Sequence, residues 1–263
     1  MDAALDRASL DGRLVALPEA CIPVTDEGLL RGDGVFEVIR VYGGRALDLG
    51  PHLERMTGSA ANLRLGFDAA AMRADVALLL EGAGPVEALL RLVVTRGGRR
   101  IALLEPLPEL PGALSLGLVA YAPTRVLDGV KSLSYAANML ATRLARERGF
   151  DEALLHTPHG RVLEAPTASF YWVREGRILT PPLSEHLLDS ITRRRLIAAA
   201  GVEETPLAVE ELGAIEEAFV ASTVREVLPV SRIEDHTLPS EGPVTARARS
   251  RLGESIQAEL ASG

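Results

Sequence analysis

The sequence uses lysine only once, so Lys131 is the first residue whose chemistry has to be considered. The other 27 basic residues of this 263-residue chain are arginines. A guanidinium stays protonated, whereas a lysine ammonium can lose its proton and act as a nucleophilic amine. A GC-rich genome produces the same bias, so the count alone leaves both explanations open. Lys131 is therefore a candidate for chemistry that arginine cannot perform.

Two further residue types fit one kind of amine chemistry. Pyridoxal phosphate is held by a lysine amine, and an acid beside its pyridine nitrogen lets the ring accept electrons. Tyr135 follows Lys131 by four residues, and Glu164 lies in a later predicted strand. The sequence thus offers an amine, a phenol and an acid. The alternatives are that Tyr135 packs in a core and that Glu164 lies on the surface of its strand.

Two short stretches and one arginine could bind the phosphate of such a cofactor. Helix N-termini and loops that bear hydroxyl groups commonly bind phosphate. Residues 190–192 (Ser-Ile-Thr) precede a predicted helix, residues 222–223 (Ser-Thr) end a predicted strand, and Arg55 can donate two N–H groups to phosphate oxygens. The alternatives are a solvated Arg55 and a Thr192 that only caps its helix.

Sequence periodicity predicts the elements that would position these residues. Strands are predicted over residues 34–42, 45–49, 89–95, 113–121, 152–156, 161–164, 169–173 and 217–222, with a loop over 96–100. Helices are predicted from residue 51 and over 134–148 and 191–200. Helices and strands mix without regular β-α-β alternation, which favours the α+β class. Three prolines between residues 106 and 111 predict a connection between a smaller N-terminal and a larger C-terminal part.

The composition argues against several classes of protein. Apolar residues make up 47% and charged residues 24%, which is enough for a sizeable core. No apolar run approaches the length of a membrane span, and a net charge of -8 argues against nonspecific nucleic-acid binding. A single cysteine and an N-terminus without a signal-peptide pattern favour the cytoplasm. The histidines lack metal-ligand spacing, so no metal site is predicted.

In their order along the chain, these motifs resemble the class IV aminotransferases, the fold-type IV pyridoxal-phosphate family. That family contains D-amino-acid transaminases, branched-chain aminotransferases, (R)-amine transaminases and aminodeoxychorismate lyases. The similarity runs from about Asp26 to Val230. The segments that carry it are 26–37 (DEGLLRGDGVFE), 52–55 (HLER), 131–135 (KSLSY) with Asn138, 160–164 (GRVLE), 180–183 (TPPL), 187–193 (LLDSITR) and 221–227 (ASTVREV).

The resemblance implies the architecture of a two-domain pyridoxal-phosphate enzyme. A small N-terminal α/β domain would cover residues 1–105 and a linker residues 106–112. A larger, β-barrel-like C-terminal domain with helices would cover residues 113–263 and bind the cofactor. Members of the family are homodimers in which a loop of the partner completes the site, so the resemblance also implies a homodimer in which Arg31 reaches the neighbouring site.

The resemblance also assigns residues to the cofactor. Lys131 would form the Schiff base with pyridoxal 5'-phosphate, and Tyr135 would hydrogen-bond the phenolic oxygen of the cofactor. The remaining implied contacts are Glu164 at the pyridine nitrogen, Leu188 under the ring, and Arg55, Ile191, Thr192, Ser222 and Thr223 on the phosphate side.

The implied reaction moves an amino group between an amino acid and a 2-keto acid in two half-reactions, with Lys131 transferring the α-proton. Segments 32–38 and 95–97 are closer to D-amino-acid transaminases than to branched-chain enzymes, which usually carry Phe-Glu-Gly-Ile-Arg. A D-amino acid is therefore the expected substrate. The alternatives are a branched-chain L-amino-acid or (R)-amine transaminase, and an aminodeoxychorismate lyase that forms 4-aminobenzoate and pyruvate.

Five residues are expected to bind the substrate. Phe36 and Val38 would line the pocket. Arg31, with Arg99 or Arg100, would bind the substrate carboxylate through an arginine fork. The alternative for these three arginines is that they are solvated loop residues, because an arginine that faces bulk water contributes little.

Overall fold

The computed structural model describes residues 5–262, which divide into two compact units. The first runs to Pro108 and includes Gly129–Tyr135, and the second contains Glu109–Asp128 and the chain from Ala136. The boundary after Pro108 lies within the expected linker at residues 106–112, whereas the segment that carries Lys131, expected in the C-terminal domain, belongs to the first unit. The amide of Phe36 donates to the carbonyl of Lys131 (3.1 Å), and the amide of Leu133 donates to that of Gly34 (2.9 Å).

The described residues of the first unit form a six-stranded antiparallel sheet and helices. The strands are β1 (Arg7–Leu10), β2 (Arg13–Ala16), β3 (Gly34–Tyr42), β4 (Arg45–Ala46), β5 (Ala88–Thr95) and β6 (Arg100–Glu105), and the helices are α1 (Glu27–Arg31), α2 (Leu49–Asn62) and α3 (Ala69–Ala83), with a 3₁₀ turn at Leu17–Glu19. The strand order is β2-β1-β6-β5-β3-β4. Gly43 and Gly44 both have positive φ angles, which suits the tight turn between β3 and β4.

One face of this sheet is covered by α2 and α3. Because successive side chains of a strand point to opposite faces, β3 divides into two sets. Val35, Ile39 and Val41 are buried in a core cluster with Met56 of α2 and Met72 of α3. Phe36 and Val38 lie on the opposite face. The strand therefore presents a core side and a side that can position functional groups.

The described residues of the second unit form an eight-stranded mixed sheet. Its strands are β7 (Leu114–Ala120), β8 (Glu152–His156), β9 (Ser169–Arg174), β10 (Arg177–Thr180), β11 (Glu203–Glu204), β12 (Glu217–Ser222), β13 (Glu226–Ile233) and β14 (His236–Thr237), and its helices are α4 (Ala136–Glu147), α5 (Ile191–Ala200) and α6 (Pro243–Ser262), with 3₁₀ turns at Arg125–Leu127, Leu183–Glu185 and Val209–Ala214. The order is β11-β10-β9-β12-β13-β7-β8, with β14 beside β13. The pairs β10–β11, β13–β7 and β7–β8 are parallel.

The core of the second unit lies on the central strands of this sheet. Phe170 and Trp172 of β9 are buried with Val220 of β12 and Val230 of β13. The helix α4 packs through Ala141 and Ala145 against β8. The helices α5 and α6 contact each other and the strands β12 and β13.

Most predicted elements that carry candidate residues are confirmed. The structure has strands at Gly34–Tyr42, Glu152–His156 and Glu217–Ser222 and a helix at Ile191–Ala200, each with the predicted bounds. The strand predicted over 161–164 is wrong. Arg161 and Val162 pair only as isolated bridges, with Ala208 and His156 respectively, so no continuous ladder forms there. The predicted loop over 96–100 is also shorter, since β6 begins at Arg100.

Candidate active site

Lys131 lies beside two aromatic rings in the first unit. Its Nζ is 4.3 Å from the centroid of the Phe36 ring and 5.5 Å from that of Tyr135. The two rings meet edge to face, with centroids 5.2 Å apart. The amide of Lys131 donates to Oγ of Ser59 on α2 at 3.1 Å. Strand β3 and helix α2 therefore fix the backbone of Lys131, and the rings fix the position of its amine.

Arg55 is held by a buried carboxylate. Its Nε donates to Oε1 of Glu37 at 2.7 Å and its Nη2 donates to Oε2 at 2.6 Å. The Nδ1 atom of His52 lies 2.8 Å from the same Oε2. Burial by itself raises the pKa of Glu37, but hydrogen bonds from His52 and Arg55 and their charges outweigh it and lower the pKa to about 2. Glu37 is thus ionised, and the guanidinium plane of Arg55 is fixed by two hydrogen bonds.

The substrate residues expected from the sequence do not all lie on one face. Phe36 and Val38 share the face of β3 that is opposite the helices. Arg100 pairs in register with Val94, a residue of the helix-side core, and its guanidinium binds the buried Asp75 of α3. Arg100 therefore lies on the wrong face of the sheet to meet Phe36 and Val38.

The other two expected arginines are engaged on the surface. Arg31 ends α1, and its guanidinium pairs with Glu27 while 67% of the side chain is exposed. Arg99 lies in the turn between β5 and β6, and its Nη1 donates to Oδ2 of Asp11 at 2.5 Å. Each arginine thus forms an exposed or partly exposed ion pair, and such pairs contribute little to stability.

Arg91 is a candidate that the sequence reasoning missed. It pairs in register with Val38, so it lies on the same face as Val38 and Phe36, and its Cζ is 5.7 Å from the centroid of the Phe36 ring. Its Nε and Nη2 donate to the two carboxylate oxygens of Glu105 at 2.8 and 2.9 Å. The signal in the sequence was an arginine between two leucines of a predicted strand. Lys131 and Arg91 thus approach the same aromatic ring.

Glu164 and Leu188 lie together in the second unit. The amide of Leu188 is 3.4 Å from Oε1 of Glu164, and the carbonyl of Glu164 accepts from the amide of Leu155 on β8 at 3.0 Å. Burial and the negative charge of Glu164 raise the pKa of the Tyr121 hydroxyl. The backbone of Glu164 is therefore held beside β8, and its carboxylate accepts from the amide of Leu188 and lies close enough to Tyr121 to raise the pKa of that hydroxyl.

The N-terminus of α5 has the features of an anion site. Ser190 caps the helix, because its Oγ accepts from the amide of Arg193 at 3.3 Å. Ile191 and Thr192 are buried in the first turn, where helix amides have no partner within the helix and the helix dipole favours negative charge. This geometry fits a phosphate group.

The hydroxyl groups of Ser222 and Thr223 lie at the end of β12. The Oγ of Ser222 accepts from the amide of Arg225 at 3.3 Å, which forms the turn into β13. Arg225 in turn pairs with Glu152 at 2.5 Å. The turn is thus anchored to β8, the strand that also holds Glu164 through its backbone.

Each unit by itself therefore supplies part of a donor set that fits pyridoxal phosphate. The first has an amine between aromatic rings, and the second has a held carboxylate and a capped helix N-terminus. Within residues 5–262, no group of three or more His, Cys, Asp or Glu residues could hold a metal ion. In the same part of the chain, no helix combines the length and apolar character that a membrane crossing requires.

Comparisons with known proteins identify the family to which the chain is similar. Residues 34–233 match the family model described as "Amino-transferase class IV". A putative branched-chain-amino-acid aminotransferase of Methanocaldococcus jannaschii is 32% identical, covering 92% of this chain and 94% of the relative. A D-alanine aminotransferase of Bacillus licheniformis is 29% identical, covering 95% of this chain and 97% of the relative.

A solved structure extends this similarity to the fold. The branched-chain amino acid aminotransferase of the organism abbreviated T.th., complexed with N-(5'-phosphopyridoxyl)-L-glutamate, has a TM-score of 0.88 at 25% identity, covering 97% of this chain and 95% of that one. The expected fold type and cofactor are thereby confirmed. The chain belongs to the class IV aminotransferases, which are pyridoxal-phosphate-dependent enzymes of fold type IV.

Proposed function

We propose that this enzyme transfers the amino group of a D-amino acid to a 2-keto acid, with Lys131 as its catalytic residue. The observation that carries the proposal is the position of the Lys131 amine, which lies beside the rings of Phe36 and Tyr135. Aromatic rings attract a cationic amine and so hold it in place, and an ammonium, unlike a guanidinium, can lose its proton. Such a group suits a residue that must both accept and donate a proton.

Lys131 is proposed to move the proton at its Nζ. When bound, pyridoxal phosphate accepts the electrons of the substrate α-carbon and so makes the α-proton acidic. In the first half-reaction the Nζ would take the proton from the α-carbon of the amino donor and pass it to the cofactor carbon, and in the second it would move a proton in the reverse direction. Lys131 is assigned this role because its Nζ is the titratable group of the segment that the resemblance assigns to catalysis. Tyr135 would donate its hydroxyl hydrogen to the phenolic oxygen of the cofactor, and the contact with Phe36 keeps the amine in place.

Glu164 is proposed to keep a proton on the pyridine nitrogen. A carboxylate favours the protonated form of a neighbouring ring nitrogen, since opposite charges stabilise each other. The backbone contacts with Leu155 and Leu188 support this role because they fix the segment that carries the carboxylate. Leu188 is proposed to support the ring.

The phosphate is proposed to bind to Arg55, to the amides of Ile191 and Thr192, and to Ser222 and Thr223. An oriented guanidinium and a helix N-terminus both donate N–H groups to phosphate oxygens. The fixed plane of Arg55 and the cap at Ser190 support these assignments.

The substrate carboxylate is proposed to bind Arg91. This arginine replaces Arg100 in the expected set, because it shares a sheet face with Phe36 and Val38. Its pairing with Glu105 orients the guanidinium, and a substrate carboxylate would share or displace that pair. The D-configuration rests on segments 32–38 and 95–97 of the sequence, which are closer to D-amino-acid transaminases.

The absorbance spectrum of the purified yellow protein tests this function. D-alanine or D-glutamate is added to one cuvette and L-leucine to a parallel one. We expect the yellow band to disappear with the D-amino acid only, and parallel lines in double-reciprocal plots of the complete reaction, which indicate two half-reactions. If no amino acid changes the band of a protein that holds the cofactor, the proposal is wrong and a lyase or an amine-specific transaminase takes its place.

A branched-chain L-amino acid is the second candidate substrate. The observation in its favour is the 32% identity to a relative named as a putative branched-chain-amino-acid aminotransferase. Loss of the yellow band with L-leucine only would select this candidate.

A homodimer is proposed on the basis of the family resemblance. The helix α4 supports it, because Leu140 and Leu144 are one turn apart on its surface and are 50% and 42% exposed. Light scattering coupled to size-exclusion chromatography tests the proposal. A mass equal to that of one chain, 28.0 kDa, would contradict it.

A further inference from the structure

A buried cluster of ionisable groups lies under the strand that carries Phe36. It consists of Glu37, His52 and Arg55. The side chain of Glu37 is 0% exposed, that of His52 is 2% exposed and that of Arg55 is 9% exposed. The proposed function uses Arg55 but gives no role to Glu37 or His52. A carboxylate in the middle of a buried strand is costly unless its hydrogen bonds are satisfied, so its presence calls for an explanation.

The cluster fixes the orientation of Arg55. Glu37 accepts from Nε and Nη2 of Arg55, which are adjacent donors on one edge of the guanidinium. Two parallel bonds of this kind determine the plane of the group as well as its distance. Glu37 itself cannot rotate away, because His52 contacts its Oε2 at 2.8 Å.

The role of His52 follows from the charge of Glu37. Since the hydrogen bonds and charges of His52 and Arg55 outweigh burial and keep the pKa of Glu37 low, its carboxylate can only accept hydrogen bonds. The Nδ1 atom of His52 must therefore carry the hydrogen. His52 acts as a second donor that holds the carboxylate in register with Arg55.

Strand β3 links this cluster to the amine. Phe36, on one face, contacts Lys131, and Glu37, on the other face, holds Arg55. Because adjacent residues of a strand point to opposite faces, one rigid element sets the positions of both groups. The order of Phe36 and Glu37 in the sequence thus fixes the lysine and the arginine relative to the same backbone.

We propose that Glu37 is a positioning residue for cofactor binding: with His52, it orients the Arg55 guanidinium toward the cofactor phosphate. This inference rests on the proposed role of Arg55. Its expected effect on phosphate affinity is the opposite of the effect that charge attraction alone predicts. If Arg55 acted only as a positive charge, removal of the negative Glu37 would strengthen phosphate binding. If Arg55 acts as an oriented donor, removal of Glu37 weakens it.

The experiment measures how much the phosphate contributes to cofactor affinity. The dissociation constants of pyridoxal phosphate and of pyridoxal are determined on the apoprotein by absorbance titration, and their ratio is taken. Both aldehydes react with Lys131, so the ratio isolates the phosphate contribution. The variants are Glu37→Gln, Arg55→Gln and the double variant. Asp75→Asn is the matched control, because Asp75 is also a buried carboxylate of the first unit and pairs with Arg100 and Ser9.

We expect Glu37→Gln to lower the phosphate preference about 10- to 100-fold, the size of a lost hydrogen bond to a charged group. Arg55→Gln should lower it at least as much, the double variant should fall no further than Arg55→Gln, and Asp75→Asn should keep the preference. An unchanged or increased preference in Glu37→Gln, with a loss in Arg55→Gln, would overturn the inference alone. An unchanged preference in Arg55→Gln would instead remove Arg55 from the proposed phosphate site.

A second variant keeps the inference testable if Glu37→Gln does not fold. His52→Leu removes one donor to Glu37 and leaves the pair with Arg55, so its phosphate preference should fall in the same direction but by less. Far-ultraviolet circular dichroism of each apoprotein checks that the variants are folded. If Glu37→Gln does not fold, a folded His52→Leu with an unchanged preference would overturn the inference.

Discussion

The two faces of the first unit's sheet carry similar side chains in very different settings. On the helix-covered face, the carboxylates of Glu37 and Asp75 are fully buried and each is bound by an arginine. On the opposite face, Arg91 and Glu105 form the same kind of pair but are partly exposed. The covered face uses ion pairs to hold groups in place. The opposite face leaves its pair partly exposed to solvent.

This difference decides what a substitution should affect. Breaking a buried pair leaves an uncompensated charge and lowers stability. Breaking an accessible pair costs little stability, since water replaces the lost partner. We therefore expect variants of the covered face mainly to lower the free energy of unfolding. Variants of the opposite face should mainly change the kinetic constants.

The largest effect is expected on the opposite face, at Lys131. Lys131→Ala should lower the turnover rate about 10⁴-fold, because it removes the group proposed to transfer the proton. Lys131→Arg is the matched control, since it keeps a cation beside Phe36 but cannot release a proton at working pH. Both should be inactive in single-turnover assays, and both apoproteins should melt close to the wild type. A Lys131→Arg variant with substantial activity would show that only the charge matters.

The next effect is expected on the covered face, in the acid stability of Glu37. The pKa of this carboxyl is lowered from 4.5 to about 2, so its contribution to stability is complete above pH 4.5 and is lost as the pH falls toward 2. The shift corresponds to a contribution on the order of 3 kcal/mol to the free energy of unfolding at neutral pH. Urea unfolding of the wild type and of Glu37→Gln at pH 7 and pH 3 measures this contribution.

The gap in unfolding free energy between these two proteins should be wide at pH 7 and narrower at pH 3. His52 and Arg55 are the groups that face the carboxylate, and both favour its ionised form. A gap that stays constant between the two pH values would mean that Glu37 has no lowered pKa in the folded protein.

Arg91 and Arg100 provide the most direct comparison of the two faces. Arg91→Gln should raise the KM for the amino acid about 10- to 100-fold, because it removes charge-assisted hydrogen bonds to the carboxylate, and should change stability little. Arg100→Gln should leave KM unchanged and lower the free energy of unfolding by about 2 kcal/mol. The loss should be smaller than for a fully buried pair because Arg100 is partly exposed.

Steady-state kinetics and urea unfolding of both variants separate these effects. The two residues have the same chemistry and lie on the adjacent strands β5 and β6, so each is the control of the other. If Arg100→Gln raised KM as much as Arg91→Gln, the assignment of faces would not explain substrate binding.

The sequence predicted the elements whose local signals agree with their tertiary setting. Strand β3 alternates in the right period and ends at two glycines, and α5 begins at a serine cap and ends at Gly201. The helix α3 was not predicted. It begins with three alanines and has broadly distributed apolar residues, so its periodicity is weak, although Asp68 caps it at the amide of Ala71.

The parts of the site that depend on distant residues could not be predicted in this way. Glu37 and Arg55 are 18 positions apart, and their pairing depends on how α2 lies across β3. An acidic residue inside an apolar strand signals that a cation must lie nearby, but not which one. For the same reason the alternation of β6 was needed to place Arg100 on the covered face, and the sequence signals did not predict that strand.

The smallest effect is expected at Arg31, which the sequence placed at the substrate carboxylate. Arg31 pairs with Glu27 one turn away and is mostly exposed, so Arg31→Ala should change the free energy of unfolding by less than about 0.5 kcal/mol.

The effect of Arg31→Ala on KM separates two arrangements of the substrate site. If Arg91 binds the carboxylate within its own subunit, KM should change far less than in Arg91→Gln. If Arg31 completes the site of a partner subunit, the two variants should raise KM alike. The Arg31→Ala defect should then be relieved in mixed dimers with Lys131→Ala, because one site of each mixed dimer combines Lys131 of the Arg31→Ala chain with Arg31 of the Lys131→Ala chain. Equal KM defects without such relief would place both arginines on the same substrate within one chain.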